Sequence, residues 1–502
     1  MTVYRYLSVA ALCATGLFSG CAVGPEFERP APPAIGEYTR EPLPGKTVSA
    51  DVTGGEEQKF VRDQEISAQW WTLFRSPQLS ALVERALKNN PSIQAAQAAL
   101  RQAQELVYAQ QGYYYPTVQG GVTSSRQRTS ATVSPTLNSS ETLFNLHTAQ
   151  VTVGYTPDVF GGLRRQVESL QAQANSQRFL LEATHLTLTS NVVAAAVQEA
   201  GLRSQIAAAK DIIEVNTKSL ELLRRQFATG FVAGLQVAAQ EAALAQAQQA
   251  LPPLQKQLEQ TRNLLAALAG RFPAEGSEEI FELSTLHLPD ELPVSLPSKL
   301  VEQRPDVRAA EEQLHAASAE IGVAVANMLP QFTISAARGG TATVFSQMFA
   351  DGNPFWSVAG SITQTIFAGG TLLHRKRAAE AAFDQTAAQY RSTVIAAFQN
   401  VADALYALQA DADALRAAVN SERAAKVTLD LVRKQLELGQ VNYLSLLSAQ
   451  QTYQQALISR SQAQANRLTD TAALFQALGG GWWNSRNDTA RDPGYPPGQA
   501  SR

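Results

Sequence analysis

Leu163-Arg164-Arg165-Gln166-Val167-Glu168-Ser169-Leu170 opens a stretch that runs to Thr229 without a proline and with one internal glycine, Gly201. Its seam advances in alternating steps of four and three residues, through Leu163, Val167, Leu170, Ala174, Gln177, Leu181, Thr184 and Leu188. That heptad rhythm marks a helix that packs lengthwise on another helix. About 66 residues at 1.5 Å rise each give a rod of roughly 100 Å. A single globular domain cannot bury such a rod, so it must lie in a tube or a coiled coil.

A second rod of the same length runs from Leu372 to Leu438, its seam clearest at Tyr390, Val394, Ala397, Val401, Ala404 and Leu408. Each rod meets a glycine, Gly230 or Gly439, and then a shorter helical run, Leu235 to Ala269 or Leu444 to Leu478. Each is also preceded, further upstream, by a run of similar length, roughly Leu79 to Gln111 and Ser298 to Met328. Two half-length helices end to end would cover one rod. Equal rods with equal neighbours imply a duplication and one elongated body. The expected organisation is a first repeat over 69–270, a connector over 271–297 rich in proline, and a second repeat over 298–483. A segment over 21–68 reads as an extended leash with prolines up to Pro44, and 484–502 reads as a disordered tail.

The N-terminal residues 1–20 read as a signal peptide, with Arg5, an apolar run from Leu7 to Phe18, and then Ser19-Gly20-Cys21. The apolar run is too short to span a membrane. Small residues before a cysteine resemble a bacterial lipobox, which would make Cys21 a lipid attachment site at the start of the mature chain. Phe18 stands where leucine is usual, and a plain signal peptide is the competing reading. Cys13 falls in the removed segment, so no disulfide within the mature chain is expected.

Strand periodicity appears twice, each time between a short helix and a rod. Thr117, Gln119, Gly121, Thr123 and Ser125 alternate with Val118, Gly120 and Val122. After a polar loop near 130–140, Val151, Val153 and Tyr155 alternate with Gln150, Thr152 and Gly154. In the second half Phe332, Ile334 and Ala336 alternate with Gln331, Thr333 and Ser335, and Trp356, Val358, Gly360 and Ile362 with Ser357, Ala359, Ser361 and Thr363. Asn90-Pro91 matches Arg304-Pro305 and Pro116 matches Pro330, both 214 positions apart. Four strands, each with one apolar and one polar face, suit a membrane barrel with a wet interior, but a barrel needs about eight. Three chains would supply twelve. Strands of a soluble sandwich are the competing reading, and they would leave both rods unexplained.

Composition narrows the function. Charged residues make up 17% of the 502 positions and the net charge is -3, so no basic face suited to nucleic acid is expected. His147, His185, His287, His315 and His374 are scattered without metal-ligand spacing. With no nucleophile motif or phosphate loop, neither an enzyme nor a cofactor is expected. Trp70-Trp71 reads as a packing anchor.

The chain resembles the outer membrane factor family, the TolC-like channels, in its lipoprotein branch serving resistance-nodulation-division efflux systems. The resemblance is carried by Cys21-Ala22-Val23-Gly24-Pro25, Trp70-Trp71-Thr72-Leu73-Phe74, Asn90-Pro91, Tyr115-Pro116, Tyr155-Thr156-Pro157-Asp158-Val159-Phe160-Gly161, Gln303-Arg304-Pro305-Asp306-Val307-Arg308-Ala309-Ala310-Glu311 and Ala477-Leu478-Gly479-Gly480-Gly481-Trp482. It implies a mainly α fold with a small β part: a long α-helical barrel plus a trimeric 12-stranded transmembrane β-barrel. The implied setting is the outer membrane, lipid-anchored, with a helical tunnel across the periplasm. Implied partners are two further copies of the chain, a periplasmic adaptor (membrane fusion protein), an inner membrane resistance-nodulation-division pump and outer membrane lipid.

The resemblance also implies two sets of site residues. The adaptor-contacting tips would be Thr229, Gly230 and Phe231, and Leu438, Gly439 and Gln440. A periplasmic constriction would fall at Leu444 and Ser448. The family often carries Leu-Asp-Ala-Gln-Arg after the second turn, whereas here the residues are Leu447-Ser448-Ala449-Gln450-Gln451. Both charges are absent, so an apolar constriction near Leu444 is expected rather than an ion-pair gate. Two other readings compete with an efflux conduit. A type I secretion channel shares the fold. A periplasmic coiled-coil structural lipoprotein shares rods and anchor but has no need of matched amphipathic strand pairs.

Overall fold

The computed structural model describes residues 22–128, 143–276 and 279–484. The expected signal peptide, Cys21, the polar loop near 130–140 and the tail from 485 onward lie outside the described residues. The chain divides into two compact units. Among the described residues, one takes those within 22–30, 99–177 and 310–390, and the other those within 31–98, 178–309 and 391–484.

In order, the elements are β1 (Lys59–Arg62), α1 (Pro77–Asn89), α2 (Pro91–Gln111), β2 (Thr117–Arg128), β3 (Leu143–Tyr155), α3 (Gly162–Ala228) and α4 (Gly234–Leu268). There follow β4 (Glu291–Val294), α5 (Pro297–Gln303), α6 (Pro305–Ala326), β5 (Gln331–Ala342), β6 (Pro354–Thr363), α7 (Thr371–Glu437) and α8 (Tyr443–Ala477). The two rods, α3 and α7, have 67 residues each, and α4 and α8 have 35 each. Pro252 and Pro253 stand inside α4. They fall on an exposed stretch, where water can take the carbonyls their missing N–H groups leave free.

The helical runs expected as single elements before each hairpin are broken. Asn90 and Arg304 turn extended, with ψ of 126° and 123°, because the ring of the following proline crowds the helical conformation of the residue before it. Both breaks are used in the same way. Asn90 Nδ2 donates to the Leu268 carbonyl at the end of α4 at 2.8 Å, and Arg304 Nη1 donates to the Ala477 carbonyl at the end of α8 at 2.9 Å. Free carbonyls at a helix end need such donors. Just beyond, Gly270 and Gly479 have φ of +73° and +92° and pass so near the Asn89 and Gln303 carbonyls that a Cβ would stand 2.6 and 2.8 Å from those oxygens.

In the first unit β2, β3, β5 and β6 form an antiparallel sheet in that order. Its register aligns Val118 with Val153, Val153 with Ala336, and Ala336 with Val358. Residues in register share a face. Val118, Val122, Val151, Ile334, Val358 and Ile362 therefore stand together on one face, and all are exposed. The opposite face carries Gln119, Thr123, Gln150, Thr152, Thr333 and Ser361, with Thr148 and Thr341 hydroxyls 3.0 Å apart and those of Thr333 and Ser361 2.6 Å apart.

The second unit holds a conventional core. Trp70 is 1% exposed and stacks on Phe475, ring centroids 5.4 Å apart, with Trp71 and Phe74 edge-on to it. The latter part of the expected leash belongs to this core. β1 pairs in parallel with β4, Phe60 opposite Leu292, and Thr47 N–H donates to the Gln58 carbonyl at 2.9 Å. Two residues of α8 tie 47–56 down: Gln464, whose Nε2 donates to the Thr53 carbonyl at 2.6 Å, and Arg467, fully buried. Its Nη2 donates to Thr47 Oγ1 at 3.0 Å and to the Glu56 carbonyl at 2.5 Å, and its Nη1 to the Gly54 carbonyl at 3.4 Å. Burial lowers the pKa of this guanidinium, which Glu56 and Asp411 oppose.

Arg467→Leu is expected to leave the Gly54 and Glu56 carbonyls without their donor and Thr47 Oγ1 with only the Gln58 N–H, at about 2–4 kcal/mol, and to loosen 47–56. Denaturant melting and limited proteolysis within 47–56 check this; unchanged melting with a protected segment contradicts it.

Candidate functional site

The two turns that join α3 to α4 and α7 to α8 use one backbone device. Gly230 has φ +78° and Gly439 φ +70°. Gly230 N–H donates to the Phe227 carbonyl at 3.0 Å and Phe231 N–H to the Gln226 carbonyl at 2.8 Å. In the second turn Gly439 donates to Leu436 at 3.0 Å and Gln440 to Gln435 at 2.8 Å. These paired bonds close the last turn of a helix around a left-handed residue, where glycine carries no steric penalty.

The side chains around the two turns differ. Thr229 Oγ1 donates back to the Arg225 and Gln226 carbonyls at 3.2 and 3.0 Å. Phe231 is 83% exposed, Leu235 is also exposed, and the Phe227 ring lies 3.6 Å from where a Cβ would stand on Gly234. The second turn instead has Leu438 exposed and Asn442 as the cap of α8, its Oδ1 accepting from Ser445 N–H at 3.0 Å. All six residues expected at the tips, Thr229, Gly230, Phe231, Leu438, Gly439 and Gln440, are exposed.

The helix pairs are locked to each other just behind the turns. Leu223, Leu429, Tyr443, Leu446, Leu447 and Ala449 are buried together, with Val232, Val237 and Leu436 packed against them. A polar chain runs through this cluster. Tyr443 hydroxyl donates to Gln240 Oε1 at 2.8 Å, and Gln240 Nε2 donates to Asn216 O and Oδ1 at 2.9 and 3.1 Å. Gln240 is fully buried, so these bonds are what make its burial tolerable. Burial pushes the Tyr443 phenol pKa up, with the Ser219 hydroxyl partly opposing, so it stays a neutral donor. Sequence periodicity did not single out this lock, because one glutamine among the many in α4 carries no mark of its partner 203 positions away.

Leu444 and Ser448, one turn apart on α8, are both exposed. They line one concave strip with Ser421, Thr428 and Val432 of α7 and Asn442. Among the described residues, no carboxylate lines this strip. Glu241 of α4, near the turns, is paired with Arg224 of α3 at 2.7 Å.

The family model described as outer membrane efflux protein matches residues 82–271 and 296–480. The pyoverdine export outer membrane protein OpmQ of Pseudomonas putida is 30% identical over 82% of this chain and 88% of its own length. The toluene efflux pump outer membrane protein TtgC of Pseudomonas putida is 28% identical over 93% and 94%. Among solved structures, the outer-membrane channel OprN superposes with a TM-score of 0.82 at 27% identity, covering 92% of this chain and all of that one. The open-state MtrE outer membrane channel of Neisseria gonorrhoeae gives 0.78 at 25%, covering 92% and 99%. Matched over most of both halves by the family model, the chain belongs to the outer membrane efflux protein family.

Proposed function

We propose that this protein is the outer membrane channel of a tripartite efflux pump, a passive conduit made of three copies of the chain. The observation that carries the reading is a sheet with Val118, Val151, Ile334 and Val358 on one exposed face and threonine, serine and glutamine on the other, also largely exposed. That distribution suits lipid outside and water inside. Four strands cannot close on themselves in a membrane, where every backbone polar group needs a partner. Three copies supply twelve. The paired caps at Asn90 and Arg304 and the paired glycine turns support two repeats, over 69–270 and 298–483, with the connector between them.

In this reading the exposed turns at 229–231 and 438–440 meet a periplasmic adaptor, which links them to an inner membrane resistance-nodulation-division pump. The relatives' names, a toluene efflux pump component and a pyoverdine export protein, favour an efflux partner over a secretion ATPase. The chain itself does no chemistry: energy enters at the pump, and the channel supplies a water-filled path.

Leu444 and Ser448 form the constriction of the closed conduit. With serine in place of an acid, the entrance lacks the crowded carboxylates that would raise one another's pKa and titrate. Closed-state conductance in planar bilayers is therefore expected to change little as pH falls through the carboxylate range. Leu444→Ser is expected to raise leakage several-fold and Ser448→Ala hardly at all, while Ser448→Asp installs block by divalent cations from the periplasmic side. Strong acid-dependent closure of the wild-type channel contradicts this gate.

Cys21 carries the lipid in this proposal, holding the mature N-terminus in the membrane with about 0.8 kcal/mol per buried methylene. Mass spectrometry of the mature N-terminus is expected to find an acylated cysteine; cleavage elsewhere or a free thiol contradicts it.

A further inference from the structure

The first described residues, 22–30, lie as a strap in a seat formed by α3, α6 and the Phe160 turn. Val23 N–H donates to the Phe160 carbonyl at 3.1 Å, and the Val23 carbonyl accepts from Arg165 Nε at 3.1 Å. Gly24, at φ +98°, passes so close to Gly322 of α6 that a Cβ on Gly24 would stand 2.4 Å from Gly322 Cα. A Cβ on Gly322 would stand 2.8 Å from the Val23 carbonyl. Farther along, Arg29 Nε lies 2.8 Å from Glu311 Oε1, and Phe27 stacks on the His315 ring with centroids 4.4 Å apart and planes 12° from parallel.

His315 sits between carboxylates of two different helices. Its Nε2 is 2.9 Å from Glu168 Oε1 of α3, and its Nδ1 is 3.7 Å from Glu312 Oε2 of α6. Glu168 Oε2 accepts from Arg165 Nη1 at 2.7 Å, so the arginine that grips Val23 is itself held by the carboxylate that faces His315. Glu312 also accepts from Asn175 Nδ2 at 3.3 Å. Charged or titratable groups near this site also include Arg29 of the strap, with Glu26 and Glu28 flanking Phe27 there, Glu311 of α6 and Tyr390 of α7. A neutral imidazole has one N–H and can serve one of the two carboxylates, whereas an imidazolium serves both. The charged ring is also the better partner for the Phe27 face.

We propose that protonated His315 is a latch that fastens the N-terminal strap to α3 and α6, so the strap is held tightest in mild acid and loosens as His315 loses its proton. Glu312 first, and Glu168 after it, hold the imidazole pKa above its ordinary value, with partial burial opposing. Both carboxylates belong to the body, so the strap's share of the pH dependence comes from Phe27: the cationic ring is the better partner for its face, and this contribution is complete below the ordinary imidazole value of about 6.5 and lost as pH rises through the raised one. The strap joins the chain's N-terminal end to its body, so the latch sets how firmly that end is held, whether or not Cys21 is acylated.

The test is hydrogen exchange with mass spectrometry on the full chain in detergent, following peptides within 22–30 at pH 5.5 and 8.5 after correction for intrinsic rates. Wild-type protection is expected to be several-fold higher at pH 5.5. His315→Gln is expected to show equally low protection at both values, and Gly322→Ala, which fills the seat, to lower protection at both. Equal wild-type protection at the two pH values overturns the latch without any variant, as does an undiminished pH dependence in His315→Gln.

Discussion

The backbone groups along the outer edges of β2 and β6 are the constraint on which the reading of this molecule turns. Within the described residues the sheet ends at those two strands, and one of its faces exposes Val118, Val122, Val151, Ile334, Val358 and Ile362. In water such an edge invites pairing with other chains, and in lipid each unpaired group costs several kcal/mol. The sheet is therefore stable in a membrane only when further strands complete it. The alternation along each strand then assigns the faces, since a shift of one residue in register would turn Val118, Val153 and Val358 inward and the threonines outward.

Much of this was legible in the sequence because helices and strands report themselves through local period. The 67-residue helices agree with the seams from Leu163 and Leu372 to within a residue or two at each end, and all four strands of the sheet lie where the alternation puts them. Glycines 230 and 439 mark the turns because the left-handed backbone there excludes most other residues. The breaks at Asn90 and Arg304 were written in the following prolines, yet the apolar rhythm runs through both, and rhythm alone reads as one helix.

What local pattern could not show is pairing over long separations. Lys59 to Arg62 carries no strand signal of its own and becomes a strand only because Glu291 to Val294 lies beside it. Arg467 reads as one more polar helix residue until its three acceptors in 47–56 are seen. The same holds for Tyr443 and Gln240 behind the turns and for Phe27 on His315. In each case a few polar or aromatic side chains decide how a segment is held, and such contacts leave no period.

Whether other copies complete the sheet is decided by the mass of the detergent-solubilised, folded particle, measured by light scattering with the detergent contribution subtracted or by native mass spectrometry. Three chains per particle is the expected result, with the β content of the intact sheet. A folded monomer that keeps its full strand content in detergent and inserts into bilayers would contradict the account, because a four-stranded sheet would then be surviving in lipid with both edges unpaired.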